Sequence, residues 1–236
     1  MRAVLLLAGN YLREQRVFLI VLSIYLFVGT GWLAVSADVL QPDDLSFLVK
    51  QQAEYAIVFG LFMTSGAIFA DRKSRRVLLV LAKGIDRSQY LAGIYLGSCL
   101  ALVGYLLLSW AGAAILLNRG GMPDTSLTEV ILAAAVATLL SSAIALFYST
   151  LMHPVFAVAA AVLTMSAPHA MARLFNPAFD SMVPAYAISG AIISWDPSKS
   201  LALPAHLWGV AIAEVGMFFA FATLAFRRRD LALSVD

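Results

Sequence analysis

Long runs of apolar residues, separated by short polar segments, make up most of the chain. Six runs are long enough for a membrane-spanning helix, which needs roughly 20 apolar residues to cross a hydrocarbon core about 30 Å thick. They cover residues 17–37, 53–70, 90–117, 130–152, 154–171 and 207–226. Apolar residues follow one another within each run instead of alternating with polar ones, so the pattern predicts helices and not the strands of a β-barrel.

Two other segments carry weaker patterns. Residues 1–16 place apolar side chains on one helical face, which predicts a helix lying in the membrane interface. The segment 172–204 is rich in apolar residues and proline. Its apolar stretch 183–195 is too short to span, and the segment is predicted to be re-entrant or interfacial, with Trp195 at the headgroup level. The predicted fold class is an all-α membrane protein, with an N-terminal interfacial helix and a six-span transmembrane domain over 17–236.

Composition agrees with this fold class and excludes several others. Hydrophobic residues make up 61% of the 236 residues and charged residues 13%, whereas a soluble domain carries about 25% charged residues. An ordinary soluble enzyme, a disordered protein and a nucleic-acid-binding domain are therefore excluded. The single cysteine, Cys99, excludes an intrachain disulfide and a cysteine-rich metal site.

The distribution of basic residues predicts the orientation. Twelve of the 16 lysines and arginines precede the first run, separate the second from the third, or follow the sixth. Loops rich in lysine and arginine stay on the cytoplasmic side, so both termini are predicted to be cytoplasmic, in a cell membrane that is most simply the bacterial cytoplasmic membrane. The first run is longer than the core of a signal peptide, which favours a retained span.

The loop 71–89, between the second and third runs, carries the most informative pattern. A charged stretch is followed by a short apolar segment at 77–82, and then by Lys83-Gly84-Ile85-Asp86-Arg87. A short apolar helix, a glycine break and a charged turn on the cytoplasmic face are suited to docking a cytosolic protein. We refer to 71–89 as the coupling segment and to 83–87 as the docking turn.

These features together resemble the permease subunit of ABC-2-type transporters, the type II exporter fold. The likeness rests on six spans after an N-terminal helix, the run 77–93, the proline-bearing apolar segment 183–186 before the sixth span, and the basic-then-acidic exit 226–231. It extends over essentially the whole chain. The resemblance implies a permease that pairs with a second copy or a homologous permease and binds two cytosolic ATPase subunits.

The resemblance also implies the source of energy for transport. In such transporters the partner ATPases bind ATP and magnesium, and substrate moves outward. The almost entirely apolar spans of this chain suit a hydrophobic, lipid-like or peptide cargo. The sequence contains no G-x-x-x-x-G-K-[ST] phosphate-binding loop, so this chain is expected to have no cofactor and no catalytic site of its own. The residues expected to couple the two subunits are Leu81, Lys83, Gly84, Ile85, Asp86 and Arg87.

Few residues of the spans and of the segment 172–204 can carry chemistry. Ser65, Glu214 and Tyr186 are the candidates for the translocation path, because a buried ionisable group such as Glu214 usually faces a cavity or a partner. His169 and His206 fall at the same predicted side, but two histidines without a paired acid make a poor metal site. No metal is therefore predicted.

Three alternatives to the exporter stay open from the sequence. A chain of the same family can act as a mechanical transducer that serves a periplasmic partner. A membrane anchor or maturation factor would work without ATP. An intramembrane serine protease would use Ser189, although the glycine two residues before that serine is absent.

Overall fold

The computed structural model describes residues 2–35, 42–73, 76–120, 126–197, 199–201 and 203–228. Throughout this part of the chain the regular elements are helices, which confirms the all-α class. They are α1 (Arg2–Glu14), α2 (Arg16–Val35), α3 (Pro42–Lys73), α4 (Arg76–Ala82), α5 (Arg87–Gly120), α6 (Leu127–Leu151), α7 (Pro154–Leu174), a 3₁₀ helix (Pro177–Ser181), α8 (Ala185–Ile193) and α9 (Ala205–Arg228).

Five of these helices, namely α3, α5, α6, α7 and α9, are long and apolar enough to cross a membrane. A sixth span is counted if α1 and α2, which meet at a 64° bend, are taken as one broken span. The six predicted apolar runs fall on α2, α3, α5, α6, α7 and α9. The molecule is a helical bundle with the lengths and hydropathy of a multi-pass membrane protein.

Helix α6 lies at the centre of the bundle, where it packs against α3, α5, α7, α8 and α9. Its small residues allow this close packing, since Ala133, Ala134 and Ala137 are completely buried. The approach of α3 is equally tight, because a Cβ added to Gly60 would lie 2.6 Å from Ser142 Oγ.

Helix α1 packs across the first turns of α5 on two glycines. A Cβ added to Gly93 would lie 2.4 Å from Leu7 Cβ, and one added to Gly97 would lie 3.0 Å from the carbonyl oxygen of Ala8. The Tyr11 hydroxyl donates to the Met63 carbonyl of α3 (2.9 Å). Helix α1 is thus held by two helices of the bundle, while its predicted place in the membrane interface stays a prediction.

We call the end of the bundle that holds the docking turn and the last turn of α9 the basic end, and the opposite end the far end. Helix α3 starts at the far end, at Pro42, eleven residues before the apolar run predicted at 53–70. Asp43 and Asp44 favour its first turn through the helix dipole. Leu45 and Val49 are completely buried, so this extension belongs to the core.

The segment predicted as re-entrant or interfacial folds into a cap on the far end, formed by the 3₁₀ helix, α8 and the connection to α9. Ile188 and Ile192 of α8 are buried. The Trp195 indole donates to Ser126 Oγ (2.6 Å), and the Leu201 amide donates to a carboxylate oxygen of Glu129 (2.8 Å). Trp195 is only 4% exposed, so it fastens the cap to α6 and is not on the surface, where a headgroup anchor would lie.

Candidate functional site

The docking turn reverses the chain between α4 and α5 with a defined backbone shape. After α4 ends at Ala82, the Lys83 amide donates to the Val80 carbonyl (3.2 Å) and the Gly84 amide to the Leu81 carbonyl (3.0 Å). Gly84 has a φ of +76°, a left-handed conformation that glycine adopts without strain. The turn is therefore held in one conformation by its own hydrogen bonds.

The side chains of the docking turn differ in exposure. Lys83, Gly84 and Asp86 are exposed, whereas Ile85 and Arg87 are partly buried. This arrangement presents one positive and one negative side chain to a partner at the basic end. Opposite charges on a turn of fixed shape can set the register of a docked protein.

Val77 and Leu81 of α4 pack on the bundle. Val77 is buried in a cluster with Ile68 of α3 and Phe226 of α9, and Leu81 packs against the same cluster. The sequence left open whether this apolar segment seats in the membrane or in the groove of a partner. In the structure Leu81 seats α4 on its own protein, which leaves the docking turn as the accessible part of the predicted coupling residues.

Asp86 lies just before the first turn of α5, and its carbonyl accepts from the Tyr90 amide (3.0 Å). The Gln89 side chain returns to accept from the Asp86 amide (3.4 Å). The Gln89 side chain thus supplies one half of a capping box, which satisfies the Asp86 amide at the start of the helix. The docking turn therefore ends at Asp86, and α5 begins at Arg87.

Arg87 connects the docking turn to the end of α9. Its guanidinium donates to the carbonyl oxygens of Phe226 (3.1 Å) and Arg227 (2.9 Å). The last carbonyls of a helix have no partners within that helix, and a positive charge near them is favourable. The predicted docking residue Arg87 thus binds within its own chain, and its partners lie 139 and 140 residues away.

Tyr90, one turn into α5, extends this connection to α3. Its hydroxyl donates to the Asp71 carboxylate of α3 (2.7 Å), and its ring stacks on Phe226 of α9 at 5.8 Å between centroids. Asp71 lies in the coupling segment, and Tyr90 and Phe226 lie in segments that carry the family resemblance, but none of the three was predicted as a coupling residue. No local pattern reveals their contacts, because each contact joins two different helices.

The residues predicted for the translocation path lie on three different helices. Ser65 of α3 is buried and donates to the Phe62 carbonyl of its own helix (3.1 Å). Glu214 of α9 is 8% exposed, and its Oε2 has no hydrogen-bond partner among the described residues. Tyr186 of α8 lies in the far-end cap. Within the described part of the chain no hydrogen bond or ring contact joins any two of them.

Tyr186 instead belongs to a small cluster on the cap. Its ring stacks on the His169 imidazole at 4.3 Å, and His169 Nδ1 lies 2.9 Å from an Asp180 carboxylate oxygen. The structure thus pairs His169 with an acid that the sequence did not connect to it, while His206 is exposed. Among the described residues no group of three or more histidine, cysteine or acidic side chains is placed to bind a metal ion.

Ser189, the nucleophile of the protease alternative, lies on the same short helix. Its hydroxyl donates to the Ala185 carbonyl (2.8 Å), as helix serines commonly do.

No known protein-family model matches this chain, and no curated protein matches it either.

Proposed function

We propose that the chain is the transmembrane subunit of an ATP-driven exporter, with ATP and magnesium bound by separate ATPase subunits that dock on the turn 83–87. The observation that carries the proposal is the combination of an exposed, conformationally defined turn with direct bonds from its last residue to a distant span. A partner needs the exposed turn in order to dock, and movement of the turn needs the bonds to the distant span in order to reach it.

The docking step is supported by the shape of the turn. A partner surface binds a preformed element without the entropic cost of ordering it. Lys83 and Asp86 offer opposite charges at the basic end, where a partner with complementary charges would be guided into register. With the orientation predicted from the lysine and arginine distribution, this surface faces the cytoplasm, where ATP is available.

The transmission step is supported by the contacts behind the turn. Arg87 binds the final carbonyls of α9, and Tyr90 contacts Asp71 of α3 and Phe226 of α9. A displacement of the turn therefore acts on α3, α5 and α9 together. Packed helices move as rigid elements between discrete arrangements, which is the behaviour that a pump requires.

The interior of α9 supplies a site where such movement can act. Buried residues follow one face of the helix from Leu207 to Phe226, and Glu214 is the one acid on that face. An ionisable side chain at this depth usually marks a pathway or a partner contact. In the proposal, movement of α9 repositions Glu214 relative to a hydrophobic cargo, and a second permease copy completes the transporter.

Reversing the charge of the exposed docking residue tests the docking step. Lys83→Glu is expected to reduce recovery of the ATPase partner at least tenfold, because a mismatched charge in an interface costs several kcal/mol. The measurement is purification of the tagged chain in nanodiscs, with mass spectrometry for a cytosolic protein that carries a phosphate-binding loop and with assay of ATP hydrolysis.

Lys199→Glu is the matched control, since Lys199 is exposed at the far end and pairs with Asp196 on the surface (3.0 Å). Surface pairs of this kind contribute little to stability. Recovery of the ATPase should be unchanged in this variant. Equal recovery with Lys83→Glu and the wild type would show that the partner does not dock on the turn.

A further inference from the structure

Glu214 is a buried acid near the middle of α9. Its side chain is 8% exposed, and Oε2 has no hydrogen-bond partner among the residues that the structure describes. An ionised carboxylate in apolar surroundings is very costly unless a cation lies beside it, and otherwise the carboxyl carries a proton. Glu214 therefore takes either a proton or a positively charged group.

The protein itself offers no cation for this carboxyl. None of the six apolar runs contains a lysine or an arginine, and α6, on which α9 packs, has no basic residue along its whole length. His169 of α7 is the one histidine within a run, and its Nδ1 lies 2.9 Å from Asp180. A second copy of the chain has the same runs, so it brings no lysine or arginine to this depth either. A cation beside Glu214 would have to come from a ligand.

Aromatic rings lie along the same side of α9 as Glu214. Phe218 and Phe221 follow it by four and seven residues, which places the three side chains on one face of the helix. The two rings lie 6.4 Å apart, and each lies 6.1 Å from the ring of Phe147 of α6. Phe219 contacts a ring of α5 instead (5.5 Å). We call the rings of Phe147, Phe218 and Phe221 the aromatic patch.

Glu214 lies at the margin of the buried face of α9. Met217, the next residue along this margin, is 41% exposed, and Phe221 is 44% exposed. Both side chains are on the outside of the bundle, at a depth where the surroundings are lipid if the helices span a membrane as proposed. A hydrophobic molecule in the bilayer can therefore contact the aromatic patch beside the carboxyl without crossing the core of the bundle.

We propose that Glu214 and the aromatic patch bind a lipophilic organic cation, that is, a protonated amine or a quaternary centre with apolar substituents. The carboxylate neutralises the charge of the ligand, and the ring faces attract the cation through their quadrupoles. The apolar substituents stay in contact with Phe221 and the lipid. That this ligand is the cargo rests on the proposed function, whereas its binding needs neither the ATPase nor ATP.

Binding to the full chain in nanodiscs, without an ATPase, tests the carboxylate. The probes are tetraphenylphosphonium and tetraphenylborate, which have nearly the same shape and opposite charges, and the signal of empty nanodiscs is subtracted. The wild type is expected to bind the cation at least tenfold more tightly than the anion. Glu214→Gln, which keeps the shape of the side chain, should lower the affinity for the cation at least tenfold. Glu54→Gln, at an exposed acid of α3, is the matched control and should bind like the wild type.

Removing one ring tests the aromatic patch. Phe221→Leu is expected to lower the affinity for tetraphenylphosphonium about fivefold, the effect of one cation–π contact. Phe62→Leu, at a position of α3 that is 57% exposed, should leave the affinity unchanged.

Equal affinities of the wild type for the two probes, or equal affinities of the wild type and Glu214→Gln for the cation, would overturn the proposal and leave Glu214 as a neutral carboxyl of the bundle. Equal losses in Phe221→Leu and Phe62→Leu would overturn the role of the aromatic patch. Failure to recover an ATPase, with binding of the cation intact, would instead contradict the proposed function and leave this site in place.

Discussion

Replacing Gly97 or Gly93 with leucine is expected to separate α1 from α5 and to lower the free energy of unfolding by about 3 kcal/mol, near the upper end of the cost of overpacking. The neighbours of Gly93 and Gly97 cannot easily give way. The added carbon would lie closest to Leu7 Cβ at Gly93, and closest to a ring carbon of the buried Tyr11 and then to the Ala8 main chain at Gly97. Thermal unfolding in detergent, followed by intrinsic fluorescence or circular dichroism, measures the loss.

Gly104 provides a control on the same helix, because a Cβ added there meets nothing within 4 Å. Leucine at Gly104 should leave stability unchanged or raise it by about 1 kcal/mol, the difference in helix propensity between the two residues. If leucine at Gly97 and at Gly104 had the same effect, α1 would not pack on α5 as described.

Under the proposed function, replacing Arg87 with glutamine is expected to leave the ATPase bound while it disconnects the docking turn from α9. The substitution removes two hydrogen bonds from a charged donor to the carbonyls of Phe226 and Arg227, each worth about 1.5–3 kcal/mol. Recovery of the ATPase should stay within about twofold of wild type, because Arg87 is partly buried and Lys83 and Asp86 form the exposed surface.

The movement of α9 is the informative readout for Arg87→Gln and does not require the cargo to be known. Spin labels at Ala220 of α9 and Val162 of α7, both on exposed positions, report the distance between these helices in a Cys99→Ser background. ATP should change this distance in the wild-type complex and leave it unchanged in Arg87→Gln. Arg228→Gln, one residue beyond the bound carbonyls, should behave as wild type. An unchanged response in Arg87→Gln would remove this arginine from the transmission route.

Sequence pattern located the long helices because each one carries its own apolar run. It failed at the start of α3, where Asp43, Asp44 and Lys50 interrupt the apolar run, although Leu45 and Val49 are buried. An amphipathic extension cannot be recognised by mean hydropathy alone.

The packed face of α1 was also only partly predicted. The predicted apolar face comprised Met1, Val4, Leu5, Ala8, Tyr11 and Leu12. Ala8 and Tyr11 are buried as predicted, but Leu5 is exposed, and Leu7, which is not on that face, contacts Gly93. The direction from which a neighbouring helix approaches decides which apolar side chains of a short helix are covered, and this direction is a tertiary property.

The difference between local sequence patterns and tertiary contacts also explains which features of the functional site were predicted. The glycine break and the charges of the docking turn are local features, and the structure has a turn there with a left-handed Gly84. The bonds from Arg87 to α9, from Tyr90 to Asp71 and from Trp195 to Ser126 join residues 19 to 140 positions apart. Hydrogen bonds between distant helices leave no periodic pattern in a single sequence.

Site-specific photocrosslinking from position 83 tests the central claim most directly. A photoreactive amino acid is introduced at Lys83, or at Lys199 as the far-end control, and the membranes are irradiated before solubilisation. The proposal predicts an adduct from position 83 with a cytosolic protein that carries a phosphate-binding loop and hydrolyses ATP, and no such adduct from position 199. If membrane-inserted chain gives no adduct of this kind at position 83, or the same adduct at both positions, the turn 83–87 is not a docking site for an ATPase.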